Sequence, residues 1–249
     1  MTTALVDGDL IAYRCAASCL RQGILMEPVE VAQIRVNELM YRIVQETEAT
    51  AYKVYLTGSD NFRYGIYKEY KANRKDTARP PWLEPCREQL MVEWGARIIN
   101  GMEADDQLGI DQYASFCNPL RNAGEDTVIV SLDKDLLMIP GRHYNFVKQE
   151  FYNVTELDGI RHFWFQMIMG DRVDNIPGYD GKMRQVVPKF LQPLINDLQA
   201  CETEQEMEIL VKGVYTDKDQ FEINKQLLWI LREPLDKEEI PEDGMAYDE

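Results

Sequence analysis

Close-set carboxylates are the most reactive feature of this sequence. They fall as Asp7 with Asp9, Asp60, Glu103 with Asp105 and Asp106, Asp133 with Asp135, and Asp171 with Asp174. Each group has a plain structural reading. Asp105 and Asp106 suit the positive N-terminus of a helix, and Asp133 suits a turn. Asp171 and Asp174 lie in Gly170-Asp171-Arg172-Val173-Asp174-Asn175-Ile176-Pro177-Gly178, where Asp and Asn are turn formers. Taken together, such acids crowd like charge, which is costly unless a cation sits among them. Ligation by oxygen alone points to Mg2+ or Mn2+ and not to zinc. Two such ions ~3.5–4 Å apart can activate water and steady the leaving oxygen of a phosphodiester.

Other chemistries have little to draw on. His143 and His162 are the only histidines, too few for a histidine-rich metal site, and a histidine-based triad is a poor fit. The five cysteines, Cys15, Cys19, Cys86, Cys117 and Cys201, are odd in number and lack zinc spacing, as expected of reduced thiols in a cytoplasm. Packing is the expectation for Cys15 and Cys19. The net charge of −16 argues at first against nucleic acid, but its distribution reverses that. Residues 233–249 carry a net −7 expected to be a solvated acidic tail, and nine clustered carboxylates account for the rest. From Asp60 to Pro81 the chain is basic instead. There Arg63, Lys68, Lys71, Arg74, Lys75 and Arg79 interleave with Tyr64, Tyr67 and Tyr70, a mixture of phosphate-binding cations and rings on which a base can stack.

The elements that must position these residues follow from periodicity. Short apolar runs at Ala4–Val6, Lys53–Leu56, Ala96–Ile99, Thr127–Val130 and Tyr144–Val147 alternate with helical patterns, which predicts an α/β fold with a mostly parallel sheet. In such a sheet the crevice lies beyond the carboxyl ends of the strands. Acids follow four of the five runs. After Thr155 the strand signal fades, and 160–169, 183–199, 203–213 and 217–232 read as helices. The expected organisation is a core over 1–155, a helical region over 156–232 and the tail. No apolar run is long enough to span a membrane, and the first residues enter a strand, so a soluble, non-exported chain is expected.

Six strings occur in the order and approximate spacing of the 5′ nuclease superfamily: Val6-Asp7-Gly8, Asp60 with Phe62-Arg63, Tyr70-Lys71-Ala72-Asn73-Arg74, Glu103-Ala104-Asp105-Asp106, Ser131-Leu132-Asp133-Lys134-Asp135, and the Gly170–Gly178 string. Over residues 4–178 the chain resembles phage 5′→3′ exonucleases and flap endonucleases, and the 5′ nuclease domain of bacterial DNA polymerase I. The resemblance implies a PIN-like core, a helical arch over 60–95, and a helical duplex-binding region. It implies a two-ion Mg2+ or Mn2+ site, with Asp7, Asp60, Glu103 and Asp105 around one ion and Asp106, Asp133, Asp135, Asp171 and Asp174 completing the shared and second positions. Lys71 and Arg74 would meet the scissile phosphate, Arg63 would bind DNA, and Tyr70 would stack on the terminal base. The implied substrates are DNA with a 5′ end, flap or nick, giving 5′-phosphate and 3′-hydroxyl products, and RNA in RNA–DNA hybrids for some members.

The sequence departs from the family where a glycine-rich hairpin usually approaches duplex phosphates. Gln185 and Val187 stand in place of its glycines, so a close backbone approach there is in question and Lys182, Arg184 and Lys189 become the nearest phosphate-reaching candidates. Two other readings compete. Leu5-Val6-Asp7-Gly8-Asp9 resembles the nucleophile loop of haloacid-dehalogenase-type phosphatases, in which Asp9 would be essential. The fold could also serve as a catalytically silent DNA-junction binder, but that leaves the clustered acids without a function.

Overall fold

Central parallel strands bury both faces and therefore read as continuous apolar runs. Ala4-Leu5-Val6, Val54-Tyr55-Leu56 and Val128-Ile129-Val130 are such runs, and all are buried. The computed structural model describes residues 1–74, 77–118 and 126–235. In chain order the elements begin with β1 (Thr2–Asp7), α1 (Gly8–Ser18), the short strands β2 (Leu20–Arg21) and β3 (Ile24–Leu25), α2 (Val29–Glu46), β4 (Ala51–Thr57) and α3 (Arg63–Ile66). They continue with α4 (Leu83–Trp94), β5 (Arg97–Ile99), α5 (Ala104–Phe116), β6 (Asp126–Val130), β7 (Gly141–Asn145), β8 (Glu150–Val154) and α6 (Glu156–Met169). Last come β9 (Gly170–Asp171), β10 (Ile176–Pro177), α7 (Gln192–Ala200), α8 (Glu204–Val214) and α9 (Lys218–Leu228).

Six strands form one sheet in the order β5-β4-β1-β6-β7-β8, parallel throughout except for β8, which runs antiparallel to β7. Leu5 pairs with Lys53 on one side and Ile129 on the other. Alternation along the strands sends Leu5, Tyr55 and Ile129 to one face and Ala4, Val6, Leu56 and Val130 to the other. The first face packs on Leu108 of α5, Trp164 and Met167 of α6, and Ile195, Met207 and Phe221 of α7, α8 and α9. The second packs on Ile11 and Cys15 of α1, Val36 and Met40 of α2, and Cys86 and Leu90 of α4. The helices after Thr155 therefore share a hydrophobic core with the sheet. Each large side chain so buried contributes about 1.5–3 kcal/mol relative to exposure. The mixed α/β architecture with a mostly parallel sheet is the one expected.

Four local expectations are corrected. The strand expected at Tyr144–Val147 begins three residues earlier, at Gly141, because its partner β6 pairs with Arg142, His143 and Tyr144. β8 was not anticipated, since it is an edge strand whose Glu150, Phe151 and Asn153 are exposed and whose apolar residues form no buried run. Residues 183–199 are not one helix: helix starts at Gln192, preceded by a 3-10 turn over Lys189–Leu191, and Pro188 denies the earlier stretch a helical interior. Within 60–95, expected as an arch, α4 packs against α1 and α2 with Cys86, Leu90 and Trp94 buried, so this part of the stretch also belongs to the core. Among the described residues no helix is long and apolar enough to cross a membrane. Lys75, Asp76 and the tail from 236 onward lie outside the described residues.

Candidate active site

Because five strands run parallel, the residues that follow them meet at one edge. There a cavity of about 1610 Å3 is walled by Asp7, Glu103, Asp105, Asp133, Asp135, Asp171 and Asp174. Three of these acids use one oxygen for a local turn or cap. Asp7 caps α1 by accepting from the Leu10 amide at 3.0 Å, and its other oxygen accepts from Ser131 Oγ at 2.7 Å, joining the ends of β1 and β6. Asp133 accepts from the Asp135 amide at 2.9 Å, and Asp171 from the Val173 amide at 2.6 Å. Asp135 accepts from Gln166 of α6. The structural and functional readings of these acids thus coexist in the same side chains.

Crowding raises their proton affinity. Burial first, then the charges of Asp9 and Asp133, push the Asp7 carboxyl up to about 7, against the opposing bonds from Leu10 and Ser131. Burial and then Asp133, Asp171 and Asp174 push Asp135 up to about 8. Asp105, which keeps a window onto the cavity, is raised well above the carboxylate range by burial and by Asp7, Asp133 and Glu103. Asp133 is raised as well, but it is exposed to cavity water, which screens the effect. Asp133 interacts with both Asp7 and Asp105 on one side and Asp135, Asp171 and Asp174 on the other, so the acids form two overlapping groups.

The segment from Glu69 to Arg74 is strapped to the loop between β9 and β10. The Lys71 amide donates to the Asp174 carbonyl at 3.0 Å, Asn73 Nδ2 to the Arg172 carbonyl at 2.8 Å, and Asn175 Nδ2 to the Glu69 carbonyl at 2.8 Å. The loop itself is tight: a Cβ on Gly170 would stand 2.4 Å from the Gly178 nitrogen, and one on Gly178 would stand 2.4 Å from the Ile168 carbonyl oxygen. This strap delivers two cations to Asp174. Arg74 reaches one carboxylate oxygen at 2.5 Å, and Lys71 Nζ lies 3.4 Å from the other while also contacting Glu103. Burial opposes the charge on Lys71, but Glu103 and Asp174 outweigh it and raise its pKa.

Four expected site residues, Arg63, Asp106, Tyr70 and Arg184, have their polar groups engaged by other residues of the chain. Arg63 is buried and forms a two-pronged pair with Asp106 at 2.6 and 2.8 Å, while its Nε donates to the Leu227 carbonyl at 2.9 Å, so it is not available to DNA. Asp106 also accepts from the amides of Glu103 and Leu231, both at 3.0 Å, which commits both of its oxygens to the protein. Tyr70 is 2% exposed, and its hydroxyl reaches Glu103 at 3.1 Å and Asp174 at 3.0 Å, so its ring offers no stacking face. Tyr64, packed edge-on against it and 47% exposed, is the ring on the surface. Arg184 pairs with Asp180, at 2.7 Å for one contact, and lies near the rings of Tyr179 and Phe190, whereas Lys182 and Lys189 are exposed.

Asp60 is exposed and does not line the cavity. After β4 the Gly58 amide bonds to Ile99 at 2.7 Å and the Phe62 amide to Gly101 at 3.0 Å, a turn with Asp60 on its outside. Asp9, the flanking acid, accepts from the Thr57 amide at 2.7 Å and pairs with Arg87, which in turn donates to the Thr57 carbonyl. Sequence reasoning assigned nothing to Ser131, Gln166, Thr57 and Arg87. Ser131 had a signal, being the first residue of its acidic string; Gln166, Thr57 and Arg87 stand outside the six strings. His143 and His162 are both off the cavity wall.

The donor set suits a hard divalent cation, since it is all oxygen and several members are poorly compensated. As the side chains stand, no three acidic, histidine or cysteine groups among the described residues are arranged to hold a metal ion, so binding one requires carboxylates to turn inward.

Residues 2–162 match the family described as 5′-3′ exonuclease, N-terminal resolvase-like domain. The chain belongs to the 5′-3′ exonuclease family. It is 28% identical over 202 residues to the thermostable DNA polymerase I of Thermus aquaticus, covering 76% of this chain and 23% of that one. The chain thus spans about a quarter of the length of that relative. It is 26% identical over 212 residues to flap endonuclease Xni of Pseudoalteromonas translucida, covering 78% of each. Among solved structures, this exonuclease-family chain resembles the T5 5′-exonuclease with bound zinc (TM-score 0.60, 17% identity, 92% of this chain and 89% of that one). It also resembles the bacteriophage T5 flap endonuclease in a pseudo-enzyme-product complex with DNA and metal ions (TM-score 0.53, 17% identity, 92% and 98%). At that identity the likeness is one of fold.

Proposed function

We propose that this exonuclease-family chain is a divalent-metal-dependent 5′→3′ exonuclease and flap endonuclease of the phage-encoded kind, acting in DNA replication within the cytoplasm. Its substrate is DNA with a 5′ end, flap or nick, with RNA in RNA–DNA hybrids as a further substrate, and its products carry 5′-phosphate and 3′-hydroxyl groups. One observation carries the reading: Asp7, Glu103, Asp105, Asp133, Asp135, Asp171 and Asp174 share one cavity at the carboxyl edge of the sheet with Lys71 and Arg74, both of which engage Asp174. Two Mg2+ or Mn2+ ions would be held by Asp7, Glu103, Asp105, Asp133, Asp135, Asp171 and Asp174, and would activate water and steady the leaving oxygen. Lys71 and Arg74 supply mobile positive charge for a phosphate in the transition state. Ser131 and Gln166 orient Asp7 and Asp135. Lys182 and Lys189 are the duplex-facing cations, carried by the connection between α6 and α7. The phosphatase reading loses its ground because Asp9 is committed to Arg87 and Thr57.

The test is cleavage of end-labelled single-stranded, blunt, nicked and flap DNA. Mg2+ or Mn2+ should support it, chelator should stop it, and Ca2+ should allow binding with little turnover. Full activity in excess chelator would refute the reading.

A further inference from the structure

Lys71 holds a position that a simple phosphate-contacting lysine does not need. Its Nζ touches Glu103 and lies 3.4 Å from Asp174, two cavity acids from different elements of the chain. Its backbone is fixed in the left-handed region, φ 55°, by the bond from its amide to the Asp174 carbonyl, so the placement is built in by the strap. The Tyr70 hydroxyl spans the same two carboxylates at 3.1 and 3.0 Å. If the ammonium leaves, a neutral tether between them remains. Arg74 differs: its side chain is half exposed, and it engages Asp174 and the Val173 carbonyl without reaching Glu103.

We infer that Lys71 is an exchangeable cation of the site: its ammonium and a divalent ion are alternative partners of Glu103 and Asp174, and metal loading withdraws Lys71 from them and turns it towards a substrate phosphate. The inference rests on the metal-dependent reading proposed above. An ammonium suits this exchange because it is a compact, strongly hydrated point charge on a flexible stem, without the rigid fork that locks Arg63 to Asp106. A divalent ion among the same oxygens repels the ammonium at close range, and a phosphate offers it a replacement anion. One lysine then couples two events, metal entry and phosphate capture, which are linked reciprocally.

Two measurements test this without relying on turnover. Mn2+ binding, followed by the electron paramagnetic resonance of the free ion in the absence of DNA, should be tighter by about tenfold in Lys71→Met and Lys71→Ala than in the native chain, because the competing charge is gone. In the native chain, acylation of Lys71 read by mass spectrometry should rise several-fold when Mg2+ is added, while acylation of Lys182 should not change. Equal or weaker Mn2+ binding in both variants, or Lys71 labelling that ignores Mg2+ in a chain that does bind Mn2+, overturns the exchange alone. A native chain that binds no Mn2+ overturns both the exchange and the metal-dependent reading beneath it.

Discussion

Asn175 donates its side-chain amide to the carbonyl of Glu69 at 2.8 Å, linking the loop that presents Asp171 and Asp174 to the segment that presents Lys71 and Arg74. Asn175 itself sits at φ 59°, which asparagine tolerates better than most residues. Asn175→Gly keeps that backbone freedom and removes only the bond. We expect it to hold stability within about 1 kcal/mol. Turnover at saturating DNA should nonetheless fall by about tenfold, because acids and cations lose their mutual register. Asn175→Ala adds backbone strain and should cost about 1 kcal/mol more. Urea unfolding beside single-turnover kinetics separates the two effects, and unchanged turnover in the glycine variant would show that the strap has no catalytic consequence.

Arg63 and Asp106 should behave as structural residues. Removing one partner of a buried, fully bonded pair leaves a stranded charge, so Arg63→Ala should lower stability by about 3–5 kcal/mol. Asp105→Asn should instead leave the unfolding midpoint unchanged or raise it, since it relieves repulsion from Asp7 and Asp133. If Asp106→Asn kept full stability and lost only turnover, Asp106 would return to the ligand set.

Asp133 and Asp135 separate chemistry from binding. Asp133→Asn or Asp135→Asn should lower turnover by about 10²-fold or more, while DNA affinity holds or rises as repulsion of phosphate falls. Filter binding alongside single-turnover rates reads both quantities. Near-normal rates in both variants would reduce these acids to turn formers.

Stability should depend on pH in a direction set by the raised carboxyls. Asp7 moves from 3.8 to about 7 and Asp135 from 3.8 to about 8 on folding. Carboxyls that bind protons more tightly when folded stabilise fully below their unfolded value and lose that contribution as pH rises through the folded one. In chelator, the thermal midpoint should therefore fall between about pH 4 and about pH 8. Added Mg2+ should raise the midpoint more at the alkaline end of that range than at the acid end. A midpoint that rises with pH in chelator would contradict the crowded-acid account.

Duplex grip should divide between the exposed and the paired cations of residues 182–189. Lys182→Ala and Lys189→Ala should each weaken duplex binding and reduce the salt slope by about 0.9. Arg184→Ala should leave the slope unchanged, because Asp180 already neutralises that guanidinium. Binding isotherms over a range of salt concentrations decide this, and a slope lowered only by the Arg184 variant would reverse the assignment.

How far the sequence could be read depended on the reach of each interaction. Runs such as Val128-Ile129-Val130 announce a doubly buried strand locally, and the acids after them follow from parallel topology. β8 carries no such run, and Met183 with Val186 imitates a helical spacing although Val186 is 76% exposed. Arg63 read as one more cation of a basic stretch. Its partner Asp106 comes from α5, 43 residues later in the chain, and no local pattern reveals a pairing at that separation. The burial of Tyr70 is hidden for the same reason, since Glu103 and Asp174, which its hydroxyl meets, arrive much later in the chain.

The strand order carries a consequence for how the molecule comes into being. β1, synthesised well before β6, lies in the interior of the sheet, where Leu5 must find Ile129. Such distant parallel pairing delays the reward for closing the chain and makes folding slow compared with a helical protein of equal stability. Until β6 has emerged, the apolar edge of β1 lacks one of its two neighbours, and during that interval the nascent chain is most exposed to aggregation. The acids on the two strands meet only when that interval ends, so the cleft cannot form on a partly synthesised chain that lacks β6.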